Sequence, residues 1–191
     1  MSPPALQLEP DRVYRTQDFA RWSKNPPRFA KRLVRTGQLL QLRTGLFVHA
    51  RVGRFGAVPP RDEELLRRFL NGGPFVFTGP EKWNALGLGT TAMFAAPRVY
   101  NTKRTGRFTL GNRVFDLSRV AFPEQPPVEW FVVDLFEHAA EAGTSRHDLA
   151  AALVAPLRRG MFSAGRLKDM ARRYGTKVTQ LAVDGAVHAA A

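Results

Sequence analysis

Arg28, Lys31, Arg32 and Arg35 stand at i, i+3, i+4 and i+7, the spacing that stacks side chains along one side of an α-helix. Every charged residue between Pro26 and Thr36 is positive, so this face is suited to meeting an anion. Guanidinium groups fit two such targets well: phosphate oxygens, and the paired acceptors on the major-groove edge of guanine. Arg28 and Arg32 suit the guanine role, Lys31 and Arg35 suit phosphates, Arg43 could reach a phosphate or a narrow minor groove, and Lys24 joins them as a DNA-binding candidate. Taken alone, a basic amphipathic helix is often only a solvated face, or a patch for an acidic protein or a membrane surface. What its neighbours build therefore decides between these readings.

Asn25 suits the N-cap of this helix, Pro26 its first position and Gly37 the left-handed residue beyond its last turn, which predicts a helix from Pro26 to Thr36. Phe29, Ala30, Leu33 and Val34 fall on the side opposite the cations. Thr16 to Trp22 reads as a short supporting helix opening at Thr16, and Ser23-Lys24-Asn25 has the length of a helix-turn-helix connection. After Gly37, two apolar runs flank Arg43-Thr44-Gly45 and predict a hairpin with Arg43 at its tip. A hairpin directly after a recognition helix is a wing, so residues 1–52 are expected to form a winged helix-turn-helix domain.

Charge is distributed unevenly along the 191 residues. Residues 1–54 hold 11 Lys/Arg against 3 Asp/Glu, a net +8, while the rest hold 18 against 13, a net +5. Such a density attracts polyanions without conferring sequence preference. The chain has no cysteine, which excludes disulfides and thiolate metal sites. Its opening, MSPPALQLEPDR, lacks the basic start and apolar core of a signal peptide, and no apolar run reaches membrane-spanning length. The expected compartment is the cytoplasm, with no membrane partner.

Arg51 to Pro60 is rich in Gly and Pro and is read as a domain boundary, leaving residues 60–191 as a second domain. Leu65, Leu66, Phe69 and Leu70 have helical spacing, with acids leading and arginines trailing. Phe75 to Phe77 predicts a buried strand, and Thr78-Gly79-Pro80-Glu81 a cap opening a helix through Leu86. Gly111-Asn112 predicts a two-residue turn pairing Phe108 with Phe115 and Arg107 with Asp116. Trp130 to Val133 reads as a second buried strand, followed by helices over Asp134–Ala142, Thr144–Leu157, Ser163–Tyr174 and near Lys177–Val183. The fold class is therefore α+β: a winged helix-turn-helix, then a mixed α/β domain with a central antiparallel hairpin and C-terminal helices.

Catalytic constellations are thin. There is no H-E-x-x-H and no phosphate loop, and Gly87-Leu88-Gly89-Thr90 follows a helix rather than a strand, which favours a helix-ending turn. Asp134, Glu137, His138 and Glu141 share one helical face, a spacing that can hold a divalent metal or form the solvated side of a helix whose Leu135, Ala139 and Ala140 face inward. The solvated side is the simpler reading, so no enzyme activity, metal or cofactor is expected. Arg158, Arg159, Arg166, Lys168, Arg172 and Arg173, with Lys177, are opposed nearby only by Asp169, and make either an auxiliary phosphate-binding surface or solubilising charge.

A winged helix ending in Gly45-Leu46-Phe47, followed by the run PFVFTGPEKWNALGL from Pro74 to Leu88, resembles the AbiEi-type antitoxins of type IV toxin-antitoxin systems. The resemblance extends over most of the chain. It implies an N-terminal domain that binds inverted repeats in double-stranded DNA upstream of its own operon, acting as a repressor. It also implies a C-terminal domain that counteracts a nucleotidyltransferase-like toxin. The DNA role carries over to Arg28, Lys31, Arg32, Arg35 and the turn around Arg43, and the family supplies no active-site residues. The Pro26-Pro27 start of the recognition helix departs from its pattern. The competing expectation is a module whose C-terminal domain acts by binding RNA or a toxin directly.

Overall fold

The computed structural model describes residues 6–54 and 56–191. The fold is α+β, and the chain divides into two compact units: residues 1–75 with 103–115, and residues 76–102 with 116–191.

In the first unit, strand β1 (Val13–Arg15) leads into a 3-10 helix (Thr16–Arg21), helix α1 (Pro26–Arg35) and strands β2 (Leu40–Arg43) and β3 (Leu46–Val48). The strands form an antiparallel sheet in the order β1-β3-β2, and β4 (Val52–Gly53) pairs antiparallel with β5 (Gly56–Ala57) just beyond it in sequence. α1 begins as its sequence predicts, because Asn25 Oδ1 accepts the N–H of Arg28 at 3.2 Å and Pro26 needs no partner for a missing donor. It ends where Gly37 takes φ +73° and the N–H groups of Gln38 and Leu39 both reach back to the Leu33 carbonyl.

The supporting element is a 3-10 helix, and its cap is not Thr16. Arg15 occupies the cap position, with its N–H donated to the Asp18 carboxylate at 2.8 Å. Asp18 also receives the Arg68 guanidinium, whose Nε donates to the Val13 carbonyl at 2.8 Å. That double link fastens helix α2 (Asp62–Phe69) to β1. Consequently the Gly/Pro-rich segment 51–60, read from the sequence as a domain boundary, lies inside the first unit, which also takes in strand β8 (Gly106–Leu110). Gly45, at φ +80°, closes a turn of two residues rather than three, since Arg43 is already paired with Leu46 in the ladder beyond an irregularity at Gln41.

A four-stranded sheet has the order β6 (Phe75–Thr78), β7 (Arg98–Asn101), β9 (Arg113–Arg119), β8, with β7 and β9 parallel over Arg98↔Asp116 to Asn101↔Arg119. β9 follows β8 across the expected turn at Gly111, where φ is +66°. In the second unit, α3 (Pro80–Asn84) is capped by Gly79 at φ +95° and not by Thr78. The glycines of Gly87-Leu88-Gly89 both take positive φ, consistent with a turn.

The expected strand Trp130–Val133 is instead the first half of helix α4 (Val128–Glu137). Trp130, Val132, Val133, Leu135 and Phe136 are all buried, so this helix is apolar almost all round and lacks the alternation of faces that marks a surface helix. Around it pack α6 (Ala164–Tyr174) and α7 (Lys177–Ala190), and α7 in turn packs on α5 (Arg146–Arg158). α7 runs well past its expected end at Val183.

Inside this core the buried carboxylate of Asp134 accepts hydrogen bonds from the Thr78 hydroxyl, Trp83 Nε1 at 2.8 Å and the Tyr100 hydroxyl at 2.7 Å. One side chain thus joins β6, α3, β7 and α4. Removing it strands three buried donors, each costing about 1–3 kcal/mol. Asp134→Ala should therefore lower the unfolding free energy in urea by at least about 3 kcal/mol, and a loss below about 1 kcal/mol would contradict the role given to this carboxylate.

Candidate nucleic-acid interface

Arg28, Lys31, Arg32 and Arg35 are all exposed on one side of α1, while Ala30 and Leu33 are buried on the other. Behind the helix lies an aromatic cluster centred on Phe19, whose ring meets Tyr14 at 5.7 Å, Phe47 at 5.8 Å, Phe29 at 6.1 Å and Trp22 at 6.2 Å. Trp22, Ser23, Asn25, Arg28, Arg32 and Arg35 line a groove of about 470 Å³ along the basic face. Two guanidinium groups are held by rings: Arg21 lies 3.7 Å from the centre of Trp22, and Arg32 lies 4.8 Å from that of Phe29. Sequence reasoning missed Arg21 and Trp22, which precede the helix and break its periodicity.

Among the described residues no acid pairs with this face, and the reason is specific. The three acids of residues 1–54 are each occupied elsewhere: Glu9 by Arg12, Asp11 by Arg51 and Asp18 by Arg68. The start of α1 offers no free backbone donor from its first residues, because Pro26 and Pro27 have no N–H and the Arg28 N–H is taken by Asn25.

Arg43 does not project from the hairpin tip. Its guanidinium lies over the rings of Phe108, at 5.1 Å, and Phe69, at 5.7 Å. Lys24 is exposed in the connection before α1.

The second basic group is partly compensated, with three of its seven cations in ion pairs among the described residues. Arg166 pairs with Glu129 at 3.2 Å, Lys168 with Asp184 at 3.4 Å and Arg173 with Asp169 at 3.4 Å. Arg158 donates to the Ala189 carbonyl at 2.6 Å, and Arg159 contacts the Met161 sulfur at 3.7 Å. Arg172 and Lys177 are exposed. Two of these partners, Glu129 and Asp184, are distant in sequence from the cations they meet, so Asp169 is not the sole opposing acid.

Asp134, Glu137, His138 and Glu141 do not form one solvated face either. Asp134 is buried, α4 ends at Glu137, and each acid has its own partners: Glu137 accepts from the Thr176 N–H at 2.7 Å and hydroxyl at 3.0 Å, and Glu141 binds Arg98. His138 stacks on Trp83 with ring centres 5.4 Å apart, and its Nδ1 donates to the Asp134 carbonyl at 2.8 Å. Among the described residues no cluster of three or more His, Cys, Asp or Glu is arranged to hold a metal ion. Burial, and then the adjacent Asp134 charge, push the Tyr100 hydroxyl far above its usual range, which keeps it a donor.

No protein-family model matches the chain, and no curated protein matches it. Among solved structures it is similar to the RV2827C protein from Mycobacterium tuberculosis, at 15% identity and a TM-score of 0.54, over 94% of this chain and 72% of that one. At that identity the likeness concerns the fold alone. Among the described residues no helix is long and apolar enough to cross a membrane.

Glu129 and Glu137 give the second unit a pH dependence. Burial raises both carboxyls, but it is outweighed at Glu129 by the Ser163 N–H and Arg166, and at Glu137 by Thr179, Thr176 and Arg146, so both lie below the ordinary value of 4.5. A depressed folded-state pKa means that the unfolded chain binds protons first, so this stabilisation is complete above the unfolded value and disappears as pH falls through the folded one. The urea midpoint should therefore decline on acidification below about pH 4.5, and Glu129→Gln with Glu137→Gln should flatten that decline. An unchanged acid limb in the double variant would show that other groups set it.

Proposed function

We propose that this protein is a sequence-specific, double-stranded DNA-binding repressor of the winged helix-turn-helix kind. In this reading the 3-10 helix and α1 are the two helices of the motif, and β2 with β3 is the wing. The observation that carries it is the ridge of Arg28, Lys31, Arg32 and Arg35, backed by a packed aromatic cluster and with no acid paired to it among the described residues. A ridge of this kind suits a major groove, whose walls are phosphate and whose floor offers guanine acceptors.

Arg28 and Arg32 are assigned to guanine. Phe29 supports the Arg32 assignment, since a guanidinium resting on a ring loses less freedom on meeting a base. Lys31 and Arg35 are assigned to phosphates. The resemblance of the Pro74–Leu88 run to AbiEi-type antitoxins extends the proposal: the protein represses its own toxin-antitoxin operon by binding inverted repeats in its promoter, and the second unit counteracts a nucleotidyltransferase-like toxin.

The test is fluorescence anisotropy with the full chain, comparing a duplex from upstream of its gene with a scrambled duplex and a structured RNA across a salt series. Arg28→Ala should cost about 1–3 kcal/mol on the cognate duplex and little on the scrambled one. Arg35→Ala should weaken both alike and flatten the salt slope by about one unit. Equal losses for both variants on both duplexes would refute this division, and tighter binding to structured RNA than to any duplex would refute the DNA reading. Trp22 reports on the same event: it is largely buried but lines the groove, whereas Trp83 and Trp130 lie in the core of the second unit, so duplex addition should change tryptophan emission through Trp22. Persistence of that change in Trp22→Phe would place the duplex elsewhere.

A further inference from the structure

A second cleft, of about 390 Å³, lies in the first unit between the Thr44-Gly45 turn and the start of α1. It is lined by Arg15, Arg104 and the polar side chains of Thr16, Gln17 and Thr44, and among the described residues no acid lines it. Arg15 Nη1 is buried and has no hydrogen-bond partner among the described residues. A buried guanidinium nitrogen without an acceptor is costly, and the acid closest in sequence, Asp18, already takes the Arg15 N–H and Arg68.

Arg104 brings a second charge to the same place from a sequence position 60 residues beyond the turn. Its guanidinium lies 4.6 Å from the centre of Phe69 and 6.0 Å from that of Phe108, the two rings that also carry Arg43. Ring contacts thus hold both guanidinium groups around one aromatic pair, with Arg104 also lining the cleft. Backbone donors from α1 are unavailable to such an anion. Pro26 and Pro27 have no N–H, and the Arg28 and Phe29 N–H groups are taken by Asn25 Oδ1 at 3.2 Å and the Asn25 carbonyl at 3.0 Å. The donors must therefore be side chains.

We infer that this cleft is a phosphate site in which Arg15 and Arg104 hold one backbone phosphate of the bound duplex beside the basic ridge. The inference rests on the DNA-binding reading and adds to it two contact residues outside the helix. Phosphate on a free nucleotide or as the inorganic ion has the same chemistry, so the test separates the sources.

Full-length wild type, Arg15→Ala, Arg104→Ala and the charge-retaining Arg104→Lys are titrated onto a scrambled duplex between 50 and 200 mM KCl. The same proteins are titrated with inorganic phosphate alone, and their thermal unfolding is recorded. Each alanine variant should flatten the salt slope by about 0.9, making the affinity lost across that salt range about three- to fourfold smaller than for wild type. Arg104→Lys should restore most of the slope, which a purely structural defect would not allow. Wild-type binding with unchanged slopes in both alanine variants overturns this inference alone. Loss of inorganic phosphate binding with an unchanged duplex slope assigns the cleft to a free anion and overturns the duplex role. Failure of the wild type to bind any duplex overturns the parent reading and this one with it.

Discussion

Four like charges on one face of a ten-residue helix repel one another, and α1 stays folded against that repulsion because of its other face. At separations near 6 Å in water each neighbouring pair costs about 0.7 kcal/mol, less with salt. Burying Leu33 and Ala30 against Phe19 returns more than this, since one large apolar side chain contributes about 1.5–3 kcal/mol. Phe19 touches four other rings, from β1, the 3-10 helix and its end, α1 and β3. Replacing it by a small residue would loosen every element that presents the ridge, so the outward charge depends on an inward ring that carries none.

The second unit uses some of its charges differently, in pairs that tie elements together: Arg166 with Glu129 links α6 to α4, and Lys168 with Asp184 links α6 to α7. Asp134 is paired with no arginine or lysine; neutral donors surround it, and three of them satisfy its two oxygens. A buried carboxylate met by hydroxyls and an indole N–H specifies geometry more narrowly than an apolar residue would, because each donor has a direction.

What could be read from the sequence was what neighbouring residues decide. The limits of α1 follow from Asn25, Pro26 and Gly37, all within a turn of its ends, and the turn at Gly111 follows from one dipeptide. α4 was hidden because a helix buried on all sides shows no amphipathic period, so Trp130 to Val133 had only its β-branched and aromatic composition to be judged by. The acid and histidine group was misjudged for another reason. Helical spacing places Asp134 beside Glu137 and His138, but Thr78, Trp83 and Tyr100 lie 34–56 residues away and claim its carboxylate first. Arg43 likewise looked like a hairpin tip until Phe69 and Phe108 came beside it.

The asymmetry of charge between the two ends of the chain is therefore a matter of pairing more than of counting. Residues 55–191 still carry a net +5, yet Glu129, Asp169, Asp184 and Glu141 each hold an arginine or lysine, and those pairs present little unbalanced charge to solvent. In residues 1–54 the acids are drawn off to Arg12, Arg51 and Arg68, and the four exposed cations of α1 are in no ion pair among the described residues. An approaching polyanion feels the unpaired groups most, because a close ion pair has a dipole field that decays faster than that of a lone charge. The four exposed cations of α1 therefore form a contiguous source of such attraction, and under the proposed DNA-binding function a duplex drawn to it would meet the side chains assigned to base contacts.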